Sequence, residues 1–291
     1  MPTKNLFNTE GSIFMGSQKN YNNCSLGIFG VNYDGTTSYK PGARFGPNSI
    51  RNASQSLETY CPKLQKDLER IKYYDFGGLL LNVNNSKSVI KKVSLATKYL
   101  INKKLKPLIF GGEHSITLGV IEALVEKYPN LILIQLDAHA DLRDSYLNNK
   151  YSHACTMKRC MDILQEKNIF QIGIRSGTQD EFKIMKNNNQ LIDFKTGETN
   201  HILKQILSPF KDSPIYLTID LDWFDPSLLP GTGTPEPGGF FWNDFETVIQ
   251  TLISFNIIGA DIVELSPNID SSGVSSVVAA KVARSLIMTL D

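Results

Sequence analysis

Apolar residues fall into short runs along the chain, with amphipathic stretches between them. Leu26–Val31, Pro107–Phe110, Leu131–Leu136, Phe170–Ile174, Ile215–Ile219 and Ile257–Val263 are predicted as strands. Several are apolar on both faces, as in Leu131-Ile132-Leu133-Ile134-Gln135-Leu136, which marks strands of a parallel sheet covered on both sides. Ser86–Asn102, Ser115–Tyr128, Ala154–Glu166, Thr199–Leu207, Asp244–Ser254 and Ser275–Leu290 are predicted as helices. In the first of these, Val89, Ile90, Val93, Leu95, Ala96 and Leu100 recur at roughly helical spacing. The alternation predicts an α/β fold of three layers, a mostly parallel open sheet with helices on both faces. Asn84-Asn85-Ser86 and Asn187-Asn188-Asn189 read as loops. With no internal repeat, long linker or break in composition, a single domain over residues 1–291 is expected.

Composition narrows the partners rather than the fold. At 41% apolar and 20% charged residues the chain reads as a globular protein. A net charge of +1 argues against nucleic acid or a membrane surface as partner. No window approaches a transmembrane span, and the start Met1-Pro2-Thr3-Lys4-Asn5 lacks the apolar core of a secretory signal. Cys24, Cys61, Cys155 and Cys160 have no CxxC spacing, which fits a reducing compartment. A cytoplasmic location is expected.

Open α/β sheets gather ligands at the carboxyl ends of their strands, and every candidate group lies there. Gly111-Gly112-Glu113-His114 follows one predicted strand and Asp137-Ala138-His139-Ala140-Asp141 another; Asp220-Leu221-Asp222 and Glu264 end two more. In extended chain alternate side chains share a face, so Asp137, His139 and Asp141 are expected to converge, as are Asp220 and Asp222. Four carboxylates cannot share a site at neutral pH unless cations hold them together. The simplest reading is a metal site with two ions. Oxygen and imidazole donors without thiolate favour a fairly hard divalent ion. N-capping explains an isolated acid such as Asp144 or Asp225, but not acids paired at i and i+2. His201, inside a helix candidate, is read as a surface residue, and Cys155 as a small buried apolar one.

Gly111-Gly112-Glu113-His114-Ser115, Asp137–Asp141, Ser152-His153-Ala154, Asp220-Leu221-Asp222-Trp223-Phe224-Asp225-Pro226 and Pro230–Pro235, taken in order, resemble the ureohydrolase family of arginases and agmatinases. Tyr33-Asp34-Gly35-Thr36-Thr37 and Gly42–Pro47 resemble agmatinases in particular. The resemblance spans most of the chain. It implies an arginase-like fold in a single ureohydrolase domain, a trimer or hexamer, and two Mn2+ per subunit. One ion would be held by His114, Asp137, Asp141 and Asp220, the other by Asp137, His139, Asp220 and Asp222. It further implies His153 as proton shuttle, Glu264 as a carboxylate clamp on guanidinium, and Thr234 near the bound substrate. The implied reaction is hydrolysis of agmatine to urea and putrescine, a step of polyamine biosynthesis. Glu113 stands where many relatives have Asp, and a structural role behind the ligands is expected of it, its contact left open. Gly78 stands where many agmatinases have an acid, and what that changes is not readable from the sequence.

Charge counted over the implied centre leaves a negative pocket, suited to a small cationic guanidino substrate and unsuited to a phosphate ester. The loop Leu142–Lys150 lacks the small polar pattern with which arginases hold an amino acid. Arg143 and Lys150 could also meet a carboxylate, which keeps a guanidino acid such as 4-guanidinobutyrate or arginine, or else formiminoglutamate, open as substrate. A two-metal phosphoesterase is disfavoured by the negative pocket and the lack of a phosphate cradle. A non-catalytic metal-binding protein is disfavoured by the presence of all six ligands with His153 and Glu264.

Overall fold

The apolar runs pair edge to edge. A computed structural model of the chain describes residues 6–81, 85–188, 191–192 and 199–291. The strands are β1 (Phe7–Asn8), β2 (Leu26–Gly30), β3 (Tyr60–Cys61), β4 (Lys66–Asp67), β5 (Tyr73–Leu79), β6 (Lys106–Phe110), β7 (Ile132–Leu136), β8 (Ile169–Ile172), β9 (Leu191–Ile192), β10 (Ile215–Asp220) and β11 (Ile257–Val263). The helices are α1 (Gly46–Ser54), α2 (Ser86–Asn102), α3 (Ile116–Val125), α4 (Thr156–Met161), α5 (Gln179–Asn187), α6 (Thr199–Leu207), α7 (Trp242–Leu252) and α8 (Val274–Leu290). Nine strands form one sheet in the order β1-β5-β2-β6-β11-β10-β7-β8-β9. Every pairing is parallel except that of β1 with β5. β3 and β4 make a separate small hairpin.

Because the central strands are buried on both faces, the sheet separates two cores. Ile132, Ile134, Ile215, Leu217, Ile219 and Ile262 point to the side where α1, α7 and α8 pack. Leu131, Leu133, Ile109 and Val263 point to the other, covered by α2, α3 and α4. This is the expected three-layer α/β architecture.

Details depart from the sequence reading. The strands β1, β3, β4, β5 and β9 and the helices α1 and α5 were not expected. Asn187 closes α5 and Asn188 turns after it, while Asn85 caps α2 by accepting the Ser88 N–H; Asn84 and Asn189 lie outside the described residues. The expected helix 154–166 shrinks to six residues. Its first residues wind into a tighter turn over His153–Cys155, and Leu164 folds back with its N–H on Cys160 O.

A row of polar side chains crosses the second core. Gln171, Gln135, Thr218 and Asp261 are register partners on neighbouring strands β8, β7, β10 and β11. All four are fully buried. Thr218 stands two residues before Asp220, which ends β10, and so shares its face; Gln135 stands two before Asp137, the residue that follows β7.

Candidate metal centre

Four adjacent strand ends, those of β6, β11, β10 and β7, deliver the candidate residues to one edge. His114 follows β6 and is fully buried. Its Nδ1 lies 3.0 Å from Asp137 Oδ2, 3.2 Å from Asp141 Oδ2 and 3.3 Å from Asp220 Oδ2. None of the three has hydrogen-bond geometry to it, and Nδ1 is a buried polar atom without a partner. The other ring nitrogen is engaged: Nε2 is 2.9 Å from Thr218 Oγ1, which donates to Asp261 Oδ1 at 2.6 Å. Asp261 also accepts from Thr117 Oγ1 at 2.9 Å and from the Tyr216 hydroxyl at 2.8 Å. With its proton committed to Asp261, Thr218 accepts from His114 Nε2–H, and this leaves Nδ1 to present a lone pair to three carboxylates. Only a positive species between them relieves that arrangement. A divalent ion fits it, since one ion satisfies the nitrogen and the oxygens together.

A second group adjoins the first. His139 Nδ1 is 2.9 Å from Asp222 Oδ2 and 3.7 Å from Asp137 Oδ1. The sets His114–Asp137–Asp141 and Asp137–His139–Asp222 each hold their donor atoms within 4.8 Å of one another and could bind a cation, with Asp137 common to both. Asp220 reaches the first set through its contact with His114. Asp137 is itself positioned by Gln135 Nε2 at 2.5 Å and the His139 N–H at 2.6 Å.

Electrostatics agree with the donor geometry. Burial works against a charged His114, yet Asp137, Asp141 and Asp220 push its pKa well up. Burial, with Asp222 and Asp137 repelling it, pushes Asp220 well above the usual carboxylate range. Asp141 is raised to about 6, mostly by burial. The cluster holds more negative charge than it can keep ionised without a cation.

The expected cause of the convergence needs correcting. β7 stops at Leu136, and Asp141 takes a left-handed backbone, φ +54°, so its side chain is aimed by a bend rather than by strand alternation. Asp220 ends β10, and Asp222 lies in the helical turn Leu221–Trp223; Asp220 Oδ1 caps that turn by accepting the Asp222 N–H at 3.0 Å. The spacing of two therefore reflects turn chemistry, in which an Asp side chain bonds the backbone two residues on.

A cavity of about 270 Å³ opens onto the cluster, lined among others by His139, Asp141, His153, Asp220 and Thr234. Thr234 Oγ1 is 3.4 Å from Asp222 Oδ2. Arg143 also lines it; among the described residues it pairs with no carboxylate and lies over the Tyr146 ring at 5.0 Å. Lys150 is instead 3.9 Å from Asp144. Glu264 lies behind the lining, its backbone left-handed at φ +65°, and Oε1 accepts the His114 N–H at 2.7 Å. The same oxygen is 3.7 Å from His153 Nδ1. Burial, with the charges of His114 and His139, lowers the His153 pKa to about 4, and its Nε2 is buried without a partner. His201 is exposed on α6 and Cys155 is buried, both as expected.

Several residues around the centre were not singled out from the sequence: Gln135, Thr218 and Asp261, and Glu181, which accepts the Leu142 N–H at 3.0 Å and lines the cavity. A polar residue interrupting an otherwise apolar strand was the available signal for the first three.

Comparison with known proteins agrees with this geometry. The chain matches the arginase family over residues 24–289. It is 36% identical to the agmatinase of Bacillus anthracis over 281 residues, 96% of each chain. It is 31% identical to the human mitochondrial guanidino acid hydrolase, covering 90% of this chain and 77% of that one. The solved structure of agmatine ureohydrolase of Thermoplasma volcanium superposes with a TM-score of 0.85 at 32% identity, covering 95% of this chain and 93% of the other. No helix among the described residues is long and apolar enough to cross a membrane. With its sheet, its strand-end donors and its sequence all in agreement, the chain belongs to the arginase family.

Proposed function

We propose that this amidinohydrolase cleaves agmatine to urea and putrescine, with two Mn2+ held by His114, Asp137, His139, Asp141, Asp220 and Asp222. The observation that carries the reading is the bare, buried Nδ1 of His114 among three carboxylates, two of which, Asp141 and Asp220, line a cavity together with His153. When bound, divalent ions neutralise the aspartates and make water a nucleophile at neutral pH.

The chain's own groups do the rest. Glu264 keeps one carboxylate oxygen on the His114 N–H; the other accepts from the guanidinium and fixes the plane that water attacks. In the reaction the water oxygen bonds to the guanidino carbon, the bond from that carbon to the alkyl nitrogen breaks, and this nitrogen leaves as an amine only after gaining a proton. His153 is neutral in the resting protein, so it can take a proton released during attack and hand it to the leaving nitrogen. The full chain, residues 1–291, is read as one catalytic domain acting within a homo-oligomer in the cytoplasm.

Agmatine is favoured by the extent of the match to agmatinases, over 96% of this chain. A second reading has one specific support. Arg143 on the cavity wall has no carboxylate partner among the described residues, which suits a guanidino acid whose carboxylate would supply one. Urea release by manganese-loaded protein across a panel of guanidino compounds decides. Agmatine should give the highest kcat/KM; preference for a guanidino acid would replace the substrate, and no urea from any compound would sink the activity.

A further inference from the structure

The turn that carries His153 begins without a local cap. Ser152 precedes it but makes no capping bond, and Ser152 Oγ is buried without a partner. The His153 N–H, a donor that the start of a helical turn leaves unpaired, goes instead to Thr36 Oγ1 at 2.9 Å, 117 residues upstream. Thr36 is free to accept because its own proton is committed. Oγ1 donates to Glu113 Oε1 at 2.7 Å, and the Thr36 N–H donates to Glu113 Oε2 at 2.6 Å. Ser115 Oγ donates to Glu113 as well. Glu113 is fully buried and, among the described residues, no lysine or arginine pairs with it, so loop hydrogen bonds are its partners.

The Thr36 loop cannot slide on this anchor. The Glu113 N–H donates to Tyr33 O at 2.8 Å, and a Cβ on Gly112 would lie 1.7 Å from that oxygen, so only glycine permits the approach. On the other flank the His114 N–H holds Glu264 Oε1, which faces His153 Nδ1. Two successive residues thus locate both members of the His153–Glu264 pair, Glu113 through Thr36 and His114 directly. A shift of about 1 Å in such a pair is enough to slow a proton transfer severely.

We propose that Thr36 is a positioning residue, which with Glu113 holds the His153 backbone so that the imidazole keeps its station beside Glu264. Its kinetic consequence rests on the reading of His153 as proton carrier; its structural consequence does not. The test compares Thr36→Val, Thr36→Ser and His153→Ala in the manganese-loaded protein. Hydrogen–deuterium exchange read by mass spectrometry on peptides covering residues 151–155 should be at least about tenfold faster in Thr36→Val and restored in Thr36→Ser. With agmatine, kcat in Thr36→Val should fall roughly ten- to a hundredfold while KM and metal content hold, Thr36→Ser should recover it, and Thr36→Val should add little in the His153→Ala background. Wild-type exchange in Thr36→Val, or a kcat loss that multiplies undiminished on that of His153→Ala, overturns the proposal. Full turnover by His153→Ala would discard the proton-carrier reading alone, and the exchange result would still decide the tether.

Discussion

One hydroxyl, that of Thr218, stands between the His114 imidazole and the buried Asp261 carboxylate. Through it the charge of Asp261 fixes which ring nitrogen of His114 carries the proton. Thr218→Val should therefore weaken divalent-ion binding by about ten- to a hundredfold, read by calorimetry on the metal-free protein, with Thr218→Ser close to wild type. His153 yields a prediction in pH. Its folded pKa of about 4 lies below the ordinary 6.5, so between those values the unfolded chain binds a proton that the folded one refuses. The contribution of His153 to the stability of the metal-free protein should be full above pH 6.5 and fade toward pH 4. The difference in unfolding free energy between wild type and His153→Ala should therefore change across that window with a slope of up to about one proton. The candidate ligands were legible as residue types because acids and histidines rarely crowd strand ends without cause. Thr218 and Gln135 were not, because a lone hydroxyl or amide in an apolar strand shows its role only once the partner across the sheet is known.

At the scale of elements, legibility followed burial. The central strands and α2, α6 and α8 stand close to where the apolar pattern put them, since each is held by a core that tolerates little else. β5 escaped because its sequence, Tyr73-Tyr74-Asp75-Phe76-Gly77-Gly78-Leu79, carries a charge and two glycines that argue against a strand. The charge is absorbed: Asp75 meets Arg51 of α1 through Nε at 2.7 Å and Nη2 at 2.8 Å, both side chains buried. The glycines divide the labour. Gly77 has φ +79° and a Cβ there would lie 2.1 Å from Asn8 O, whereas one on Gly78 would meet only Asn32 Oδ1 at an ordinary 3.5 Å. Gly77→Ala should cost upward of about 2 kcal/mol and Gly78→Ala less than about 0.5 kcal/mol, compared by denaturant midpoints. The position where many agmatinases carry an acid thus has room for a side chain.

Across the whole molecule the donors come from strands far apart in the chain but adjacent in the sheet, which is why no local pattern could give the map of contacts between them. Among the described residues, the pairing order makes β11 the only link between two half-sheets, β1-β5-β2-β6 on one side and β10-β7-β8-β9 on the other. During synthesis both halves leave the ribosome before residues 257–263 do, so each waits with a long apolar edge open toward the other. Such edges invite pairing with any passing strand. A chain ended at residue 256 should accordingly pellet or elute as aggregate in size-exclusion chromatography rather than as two folded halves; a monodisperse product would contradict this. Closure of both edges thus waits on a single strand, and a nascent chain stays open to misassembly until residues 257–263 have emerged.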